Sequence, residues 1–349
     1  MTLNFPSFRV FRLDLPLDAQ TFDGLLAQEP SMVLNVCPAQ GDDARAMQSL
    51  VDAHVYHVSS AKDDLPAPWF VGQALLERCP NLLAVSSYGA GFDTVDLNAC
   101  TRAGVAVMNQ AGSNASAVAE HTLGLMLGLS KRIVESDRRL RRGERFTRAE
   151  ASGFDLFGRT LGLVGIGHAG KRVAHLAAAF GMNIIAHDPF VDPGEVKRRG
   201  AEPVSLAELL QRADVVSLHC PLDATTRGML GAAAFASMKA GALFISTARG
   251  GIHDEAALFD ALKGGHLGGA GLDVWQVEPP PADHPLLGLD KVLATHHTAG
   301  VTVDSRRQMA TMAATQIIGL SKGVCPPRLV NPEVWPAVRE RLNQAQIRA

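Results

Sequence analysis

Three side chains in the second half of this sequence could bind an acid and move a proton: Arg249, Glu278 and His297. Arg249 follows the run Leu243-Phe244-Ile245-Ser246-Thr247-Ala248 and precedes Gly250-Gly251, which predicts a guanidinium at the end of a strand. A planar, two-pronged cation there fits a carboxylate. His297 lies in ATHHTAG, after an apolar strand and before a turn at Gly300, and Glu278 sits in DVWQVEPP just past Asp273. An imidazole titrates near neutrality, and a carboxylate partner raises its pKa and fixes its orientation. That suits a group that protonates a carbonyl oxygen and later takes the proton back. His296 makes a second imidazole available, and the spacing to Ala299-Gly300 favours His297. Taken singly, a surface loop explains the arginine equally well, and a structural role explains a lone histidine or glutamate better. What favours chemistry is their common place at strand ends beside a nucleotide motif.

That motif is LGLVGIGHAG, residues 161–170, an apolar run entering Gly165, Gly167 and Gly170. It predicts a strand, a tight turn and a helix. Gly165 permits the turn, Gly167 lets a pyrophosphate approach the backbone, Gly170 allows close helix–sheet packing, and the helix N-terminus offers N–H groups to phosphate charge. Val173, Leu176, Ala177 and Phe180 then give the helix an apolar face. The next apolar segment, Asn183 to His187, ends at Asp188, near the distance at which such folds place an acid for ribose hydroxyls. The acid favours NAD, because a 2′-phosphate would meet that carboxylate and Pro189-Phe190 supply no cation for it.

These residues need a parallel, helix-covered sheet to position them, and the chain alternates strand and helix patterns in two series. The first has strands at 9–15, 32–37, 55–58, 82–87 and 105–109, with helices near 21–27, 43–52 and 70–78. The second has strands at 160–164, 183–187, 215–218, 243–246, 269–273 and 292–295. Between them one helical pattern runs from Asn114 to about Arg142, long enough to join domains or subunits. A helix-like stretch from Thr302 to Leu320, a proline-rich tail (CPPRLVNPEVWP) and a polar end follow. This remnant is too small for a domain, so it is expected to return to the first sheet. The expectation is an α/β protein of two Rossmann-like doubly wound domains: 1–112 plus 301–349 as a flavodoxin-like substrate (lid) domain, with an NAD-binding domain, 113–300, inserted in it.

At 349 residues with 47% apolar and 19% charged residues, the chain can bury two cores. A net charge of −2 gives no global pull to nucleic acid or to a membrane surface. The cluster Arg138, Arg139, Arg141 and Arg142 reads as a solvated face at a helix C-terminus rather than a nucleic-acid patch. MTLNFPSFRVFRLD mixes charge and proline, unlike a signal peptide, and the best apolar stretch, Ala115 to Leu129, is too short for a bilayer and is broken by Glu120 and His121. Cys37, Cys79, Cys100, Cys220 and Cys325 form no C-x-x-C pair, which suggests reduced thiols in the cytoplasm and no metal site.

With SSYGAGFDTVD (86–96), NQAGSNASAVAEHTLGLML (109–127), LHCPL (218–222), TARGGIHDEAAL (247–258), GGAGLDVWQVEP (268–279) and THHTAG (295–300) added to the glycine motif, the sequence from about 50 to 335 resembles the D-isomer-specific 2-hydroxyacid dehydrogenases. The resemblance implies that Arg249 binds the carboxylate and keto oxygen of the substrate, that His297 is the acid-base and that Glu278 is its partner. It implies further that backbone N–H groups of Gly89-Ala90-Gly91 hold the substrate carboxylate, with reaction across an interdomain cleft whose closure expels water. For NAD it implies contacts from His168 and Ala169 to the pyrophosphate, from Asp188 to the adenosine ribose, from His219, Cys220 and Pro221 beside the adenine, and from Thr247, Asp273 and Gly300 around the nicotinamide. Asp273 could accept from the carboxamide, or simply cap a loop. The sequence departs from the family pattern at His296, where proline is usual, at Ser246 and at Asp223-Ala224. Phosphoglycerate-acting relatives often carry Arg at the position of Ser87, so its absence favours a small unphosphorylated 2-keto acid such as glyoxylate or hydroxypyruvate. Phosphoglycerate dehydrogenase and a nicotinamide-responsive, corepressor-like binding protein are the alternatives. Formate oxidation is disfavoured, since such relatives have Gln where this chain has Glu278. A homodimer is expected.

Overall fold

A computed structural model describes residues 7–15, 18–40 and 43–347, so the first six residues of the signal-peptide argument and the last two of the polar end lie outside the described residues. Two compact units result, one of residues up to Asn114 together with Val303 onward, the other Ala115–Thr302.

In the first unit, β1 (Phe8–Asp14), β2 (Met32–Pro38), β3 (Val55–Val58), β4 (Ala84–Ser87) and β5 (Ala106–Met108) form a parallel five-stranded sheet in the order β2-β1-β3-β4-β5. Strands β3, β4 and β5 are buried along their whole length, which is why their sequences, apart from the buried His57, read as continuous apolar or small runs and not as alternation. One face packs Phe11, Tyr56, Trp69, Leu75 and Val85. The other packs Phe8, Val10 and Met108 against Phe22 and Leu26 of the helix Ala19–Leu26 and against Ala313, Ile317 and Leu320 of the helix Val303–Ser321. The end of the chain is tied to β5: Val330 N–H donates to Val107 O (2.7 Å), and the Asn331 side chain accepts from Val107 N–H (2.8 Å) and donates to Val105 O (3.0 Å). The polar end then forms a helix, Trp335–Ile347, which adds Val338 and Leu342 to the core.

In the second unit, β6 (Thr160–Val164), β7 (Asn183–His187), β8 (Glu202–Pro203), β9 (Val215–Leu218), β10 (Leu243–Ser246), β11 (Gly269–Leu272) and β12 (Val292–Ala294) form a parallel seven-stranded sheet. Its order is β12-β11-β10-β9-β6-β7-β8, reversing direction at β6 and β9. Open parallel sheets bind ligands outside the carboxyl ends of the strands at such a reversal. Leu123, Leu125 and Met126 of the helix Ala115–Ser130 cover one face with Val173 and Ala177 of the helix His168–Ala179.

The expected continuous helix from Asn114 to Arg142 is two helices, Ala115–Ser130 and Ile133–Arg141. Arg132 takes φ 52°, and its guanidinium is held by Glu135 and by the Glu150 carbonyl. Phe154 N–H donates to Ser130 O (2.7 Å), and a Cβ at Gly153 would fall 2.0 Å from that oxygen. A returning segment thus takes up the carbonyl that the next helical turn would have used. The arginines beyond it are ion-paired: Arg139 with Glu144, Arg141 with Asp137, Arg142 with Glu144 and Asp290. The five cysteines are free thiols. No described helix is long and apolar enough to cross a membrane, and no cluster able to hold a metal ion occurs among the described residues.

Candidate active site

β6 ends at Val164, and Gly165 turns the chain at φ 92°, a backbone state that side chains resist. A Cβ there would lie 2.8 Å from the Cys220 nitrogen, so the turn rests directly on the loop after β9. A Cβ at Gly170 would lie 2.3 Å from Gly165 O, which lets the helix close on its strand. Gly167 differs: it begins the helix without a side-chain cap, and a Cβ there meets nothing within 4 Å. The first turn, starting at His168 and Ala169, therefore has open space over an uncapped N-terminus, and this fits a pyrophosphate. Asp188 follows β7 and reaches back, accepting from Ile166 N–H (2.9 Å) and Phe190 N–H (3.1 Å). Each oxygen keeps lone pairs for hydroxyls.

Beside the turn lies the segment after β9. His219 N–H donates to Val164 O (2.8 Å), its Nε2 meets Ser217 Oγ (2.9 Å), and its Nδ1 is buried with no hydrogen-bond partner among the described residues. Burial lowers its pKa to about 4, so the ring is neutral. Burial also pushes the Cys220 thiol up to about 11, and the exposed Pro221 gives its carbonyl to Thr226 Oγ1 (2.7 Å).

The polar residues after β10, β11 and β12 converge. Thr247 Oγ1 is 3.2 Å from Thr122 Oγ1 of the covering helix. Arg249 is half-buried, and its Nη1 donates to Ala248 O (2.7 Å). The backbone that carries it can lie against the next loop because Gly250 is a glycine: a Cβ there would sit 1.8 Å from Trp275 O. Trp275 N–H donates to Glu278 Oε1 (3.0 Å), and the indole donates to Thr295 O (3.0 Å). Glu278 Oε2 lies 2.8 Å from His297 Nδ1, and His297 holds φ 48°.

Burial lowers the His297 pKa, but the hydrogen bond and charge of Glu278, aided by Asp273 and opposed by Arg249, leave it raised. Burial raises Glu278, and His297, the Trp275 N–H and Arg249 outweigh that and lower it. The arrangement is a hydrogen-bonded carboxylate–imidazole pair with an arginine acting on both members. His296 is exposed and outside it.

Asp273, fully buried, anchors the loop that carries His297. Its carboxylate accepts from Thr295 Oγ1 (2.6 Å), Thr298 N–H (2.8 Å) and Ala299 N–H (2.9 Å), and its carbonyl accepts from His297 N–H (2.7 Å). Loop capping is thus its visible work, while Oδ2 retains a lone pair. Gly300, half-buried, closes the same loop. Trp275, Thr122 and Thr295 were not singled out by sequence, and Gly250 was read only as the end of a strand, since nothing local announces the backbone it would touch. A cavity of about 520 Å³ lies among Arg132, Glu135, Gly241, Gly268 and Lys291, residues that precede β10, β11 and β12 or follow the covering helix. It opens at the other edge of the sheet and takes no part in this site.

In the first unit, all three carbonyls of the loop Gly89-Ala90-Gly91 are tied back. Gly89 O accepts from Gln110 N–H (2.8 Å), Ala90 O from Asn109 Nδ2 (2.8 Å) and Gly91 O from Ser87 Oγ (2.5 Å). Their N–H groups make no hydrogen bond among the described residues. Such a row of amides can receive an anion.

Residues 123–299 match the family model described as D-isomer specific 2-hydroxyacid dehydrogenase, NAD binding domain. A glyoxylate reductase of Korarchaeum cryptofilum is 39% identical over 263 residues, 74% of this chain and 79% of that protein. A D-3-phosphoglycerate dehydrogenase of Archaeoglobus fulgidus is 37% identical over 268 residues, 76% of this chain but 51% of its own, so this chain spans about half the length of that relative. The crystal structure of a glyoxylate reductase from Paecilomyes thermophila superposes with a TM-score of 0.82 at 29% identity, covering 94% of this chain and all of that one. With a glycine turn built for a dinucleotide and an Arg, Glu and His gathered at the ends of the same sheet, the chain belongs to the D-isomer specific 2-hydroxyacid dehydrogenase family and carries its NAD-binding domain.

Proposed function

We propose that this protein interconverts a D-2-hydroxy acid and its 2-keto acid with NAD, acting on a small unphosphorylated substrate such as glyoxylate or hydroxypyruvate. The observation that carries this reading is the 2.8 Å contact between Glu278 Oε2 and His297 Nδ1, with the Arg249 charge acting on both. When bound, the nicotinamide supplies or accepts the hydride at the carbon bearing the oxygen. Glu278 engages Nδ1, which leaves Nε2 of His297 as the nitrogen for that oxygen. In reduction His297 gives its Nε2 proton as the oxygen becomes a hydroxyl, and Arg249 stabilises the negative charge that develops there. In oxidation the neutral ring takes the proton back, and Glu278 stabilises the imidazolium. Gly89, Ala90 and Gly91 bind the carboxylate through the N–H groups that their tethered carbonyls turn away. His168, Ala169, Asp188, His219, Cys220, Pro221, Thr247, Asp273 and Gly300 serve the cofactor in the roles set out above.

Ser87 supports the unphosphorylated substrate: it spends its hydroxyl on Gly91 O and offers no cation to a phosphate. The protein acts as a homodimer in the cytoplasm, which light scattering and fractionation test. The decisive experiment is a plate of glyoxylate, hydroxypyruvate, pyruvate, phenylpyruvate and 3-phosphohydroxypyruvate with NADH and with NADPH. Loss of NADH absorbance with the small acids is expected. Exclusive turnover of the phosphorylated acid refutes the substrate assignment, and no turnover of any refutes the activity.

A further inference from the structure

A second carboxylate–imidazole pair lies behind the first. Glu255 opens the helix Glu255–Lys263, whose start is fixed by Asp254 accepting from Ala256 and Ala257 N–H (2.9 and 3.0 Å). The Glu255 side chain is only 11% exposed and that of His284 16%. Glu255 Oε1 accepts from Gln276 N–H (2.7 Å), and Oε2 lies 3.1 Å from His284 Nε2. On the other side of the ring Nδ1 accepts from Leu286 N–H, which assigns the proton to Nε2 and makes the ring a donor to Glu255. The ring also packs edge-on against Trp275, with centroids 5.3 Å apart.

Burying a carboxylate is costly unless its oxygens are satisfied, so this one needs its partners. What they share is the short loop that carries Glu278. Two consecutive backbone N–H groups of that loop serve two different acids: Trp275 donates to Glu278 and Gln276 to Glu255. A shift of the turn that freed one would disturb the other. We propose that Glu255 is a positioning residue for the Glu278–His297 pair, clamping Gln276 N–H and the His284 ring so that the turn carrying Glu278 keeps its register. This rests on the functional reading above only for its effect on turnover; its effect on His297 stands apart from it. The Glu255 carboxylate is held by Gln276 N–H and the His284 ring, and its path to Glu278 and His297 runs through the loop that carries Glu278.

The test reads His297 directly, by NMR titration of its imidazole in the full chain, assigned by comparison with His297→Gln. The groups facing that ring are Glu278, Arg249 and Asp273, and none of them is altered by a change at Glu255. Glu255→Ala is expected to lower the proton affinity of His297 by about three- to tenfold, because a loosened turn weakens the Glu278 contact. Glu255→Gln, which keeps an acceptor for Gln276 N–H, should restore most of it. In a Glu278→Gln background Glu255→Ala should have no further effect, since the group it acts through is gone. A folded Glu255→Ala protein that titrates as wild type overturns the proposal, and so does an equal shift in both backgrounds. Should Glu255→Ala fail to fold, His284→Phe keeps the ring packing and removes one arm of the clamp, the contact with Glu255 Oε2, while Gln276 N–H keeps its acceptor. A smaller shift in the same direction then supports the proposal, and no shift overturns it. Turnover of a keto acid measured in parallel should fall with the titration. If no keto acid is turned over at all, the functional reading fails while the titration still decides this inference.

Discussion

Replacing Glu278 by glutamine removes one charge from a pair whose atoms are 2.8 Å apart, with side chains 37% exposed for His297 and 24% for Glu278. At that separation even the full screening of water leaves an attraction of about 1.5 kcal/mol, or about one unit in the imidazole's pKa. The screened value is the appropriate one for a pair this exposed. Burial and the Arg249 charge already pull His297 down, so without the carboxylate the net shift reverses sign. In reduction His297 must be protonated, so kcat/KM falls as pH rises through its pKa. In the Glu278→Gln enzyme that limb moves to lower pH by about one unit, and turnover one unit above the wild-type midpoint drops about tenfold. For oxidation the neutral ring is needed, and the rising limb moves down in the same way. Stability follows the same linkage. The raised His297 contributes stability fully present below the ordinary imidazole value and lost as pH rises through its folded value. The lowered Glu278 contributes stability present above the ordinary carboxyl value and lost as pH falls through its folded value. The thermal-midpoint difference between the two proteins should therefore be largest between those limits. Superimposable pH profiles, or a limb that moves up, refute the reasoning.

Arg249→Lys keeps a charge but loses the fork, and is expected to lower kcat/KM by about a hundredfold while NADH binding, read by fluorescence titration, stays within a factor of about two. Gly167→Ala meets no atom and should leave the thermal midpoint unchanged while weakening NADH binding. Gly170→Ala forces a Cβ to 2.3 Å from Gly165 O and should lower both. His296→Ala removes an exposed ring and should leave turnover within about twofold, whereas His297→Ala should cost several orders of magnitude.

The two series of strands were legible because buried parallel strands demand uninterrupted apolar or small residues, as in Leu243–Ser246 and Val215–Leu218, and the glycine turn punctuates the second series. What stayed hidden was either short or decided by distant contacts. Strand β8 is two residues, Glu202–Pro203, with no pattern to read. The helix Leu97–Arg102 is one and a half turns, and its capping Asp96, accepting from Ala99 N–H, looked like part of the SSYGAGFDTVD motif. The helix Trp335–Ile347 was hidden by its polar face and the prolines before it, since Val338 and Leu342, with the partly buried Trp335, are what commit it to the core among the described residues. The break at Arg132 could not be seen either, because the residues that enforce it, Glu150 to Phe154, lie some twenty positions further along the chain.

The site shows the same division between what side-chain chemistry announces and what backbone proximity decides. Arginine, glutamate and histidine at strand ends advertise an acid-binding, proton-moving site, but they can meet only if the loops that carry them nearly touch. Gly165 against the Cys220 nitrogen and Gly170 against Gly165 O close the dinucleotide turn, and a third glycine, Gly250 against Trp275 O, lets the loops of Arg249 and Glu278 meet. The third is the least advertised and the most consequential for chemistry. It sets the residue after Arg249 against the loop of Glu278, and any side chain there would push the guanidinium away from the pair whose charges it tunes. Asp273 completes the argument from the other side. By accepting from His297 N–H at its carbonyl and from Thr298 and Ala299 N–H at its carboxylate it holds His297 at φ 48°, an uncommon conformation for a non-glycine residue, so the loop fixes how the imidazole is presented to Glu278.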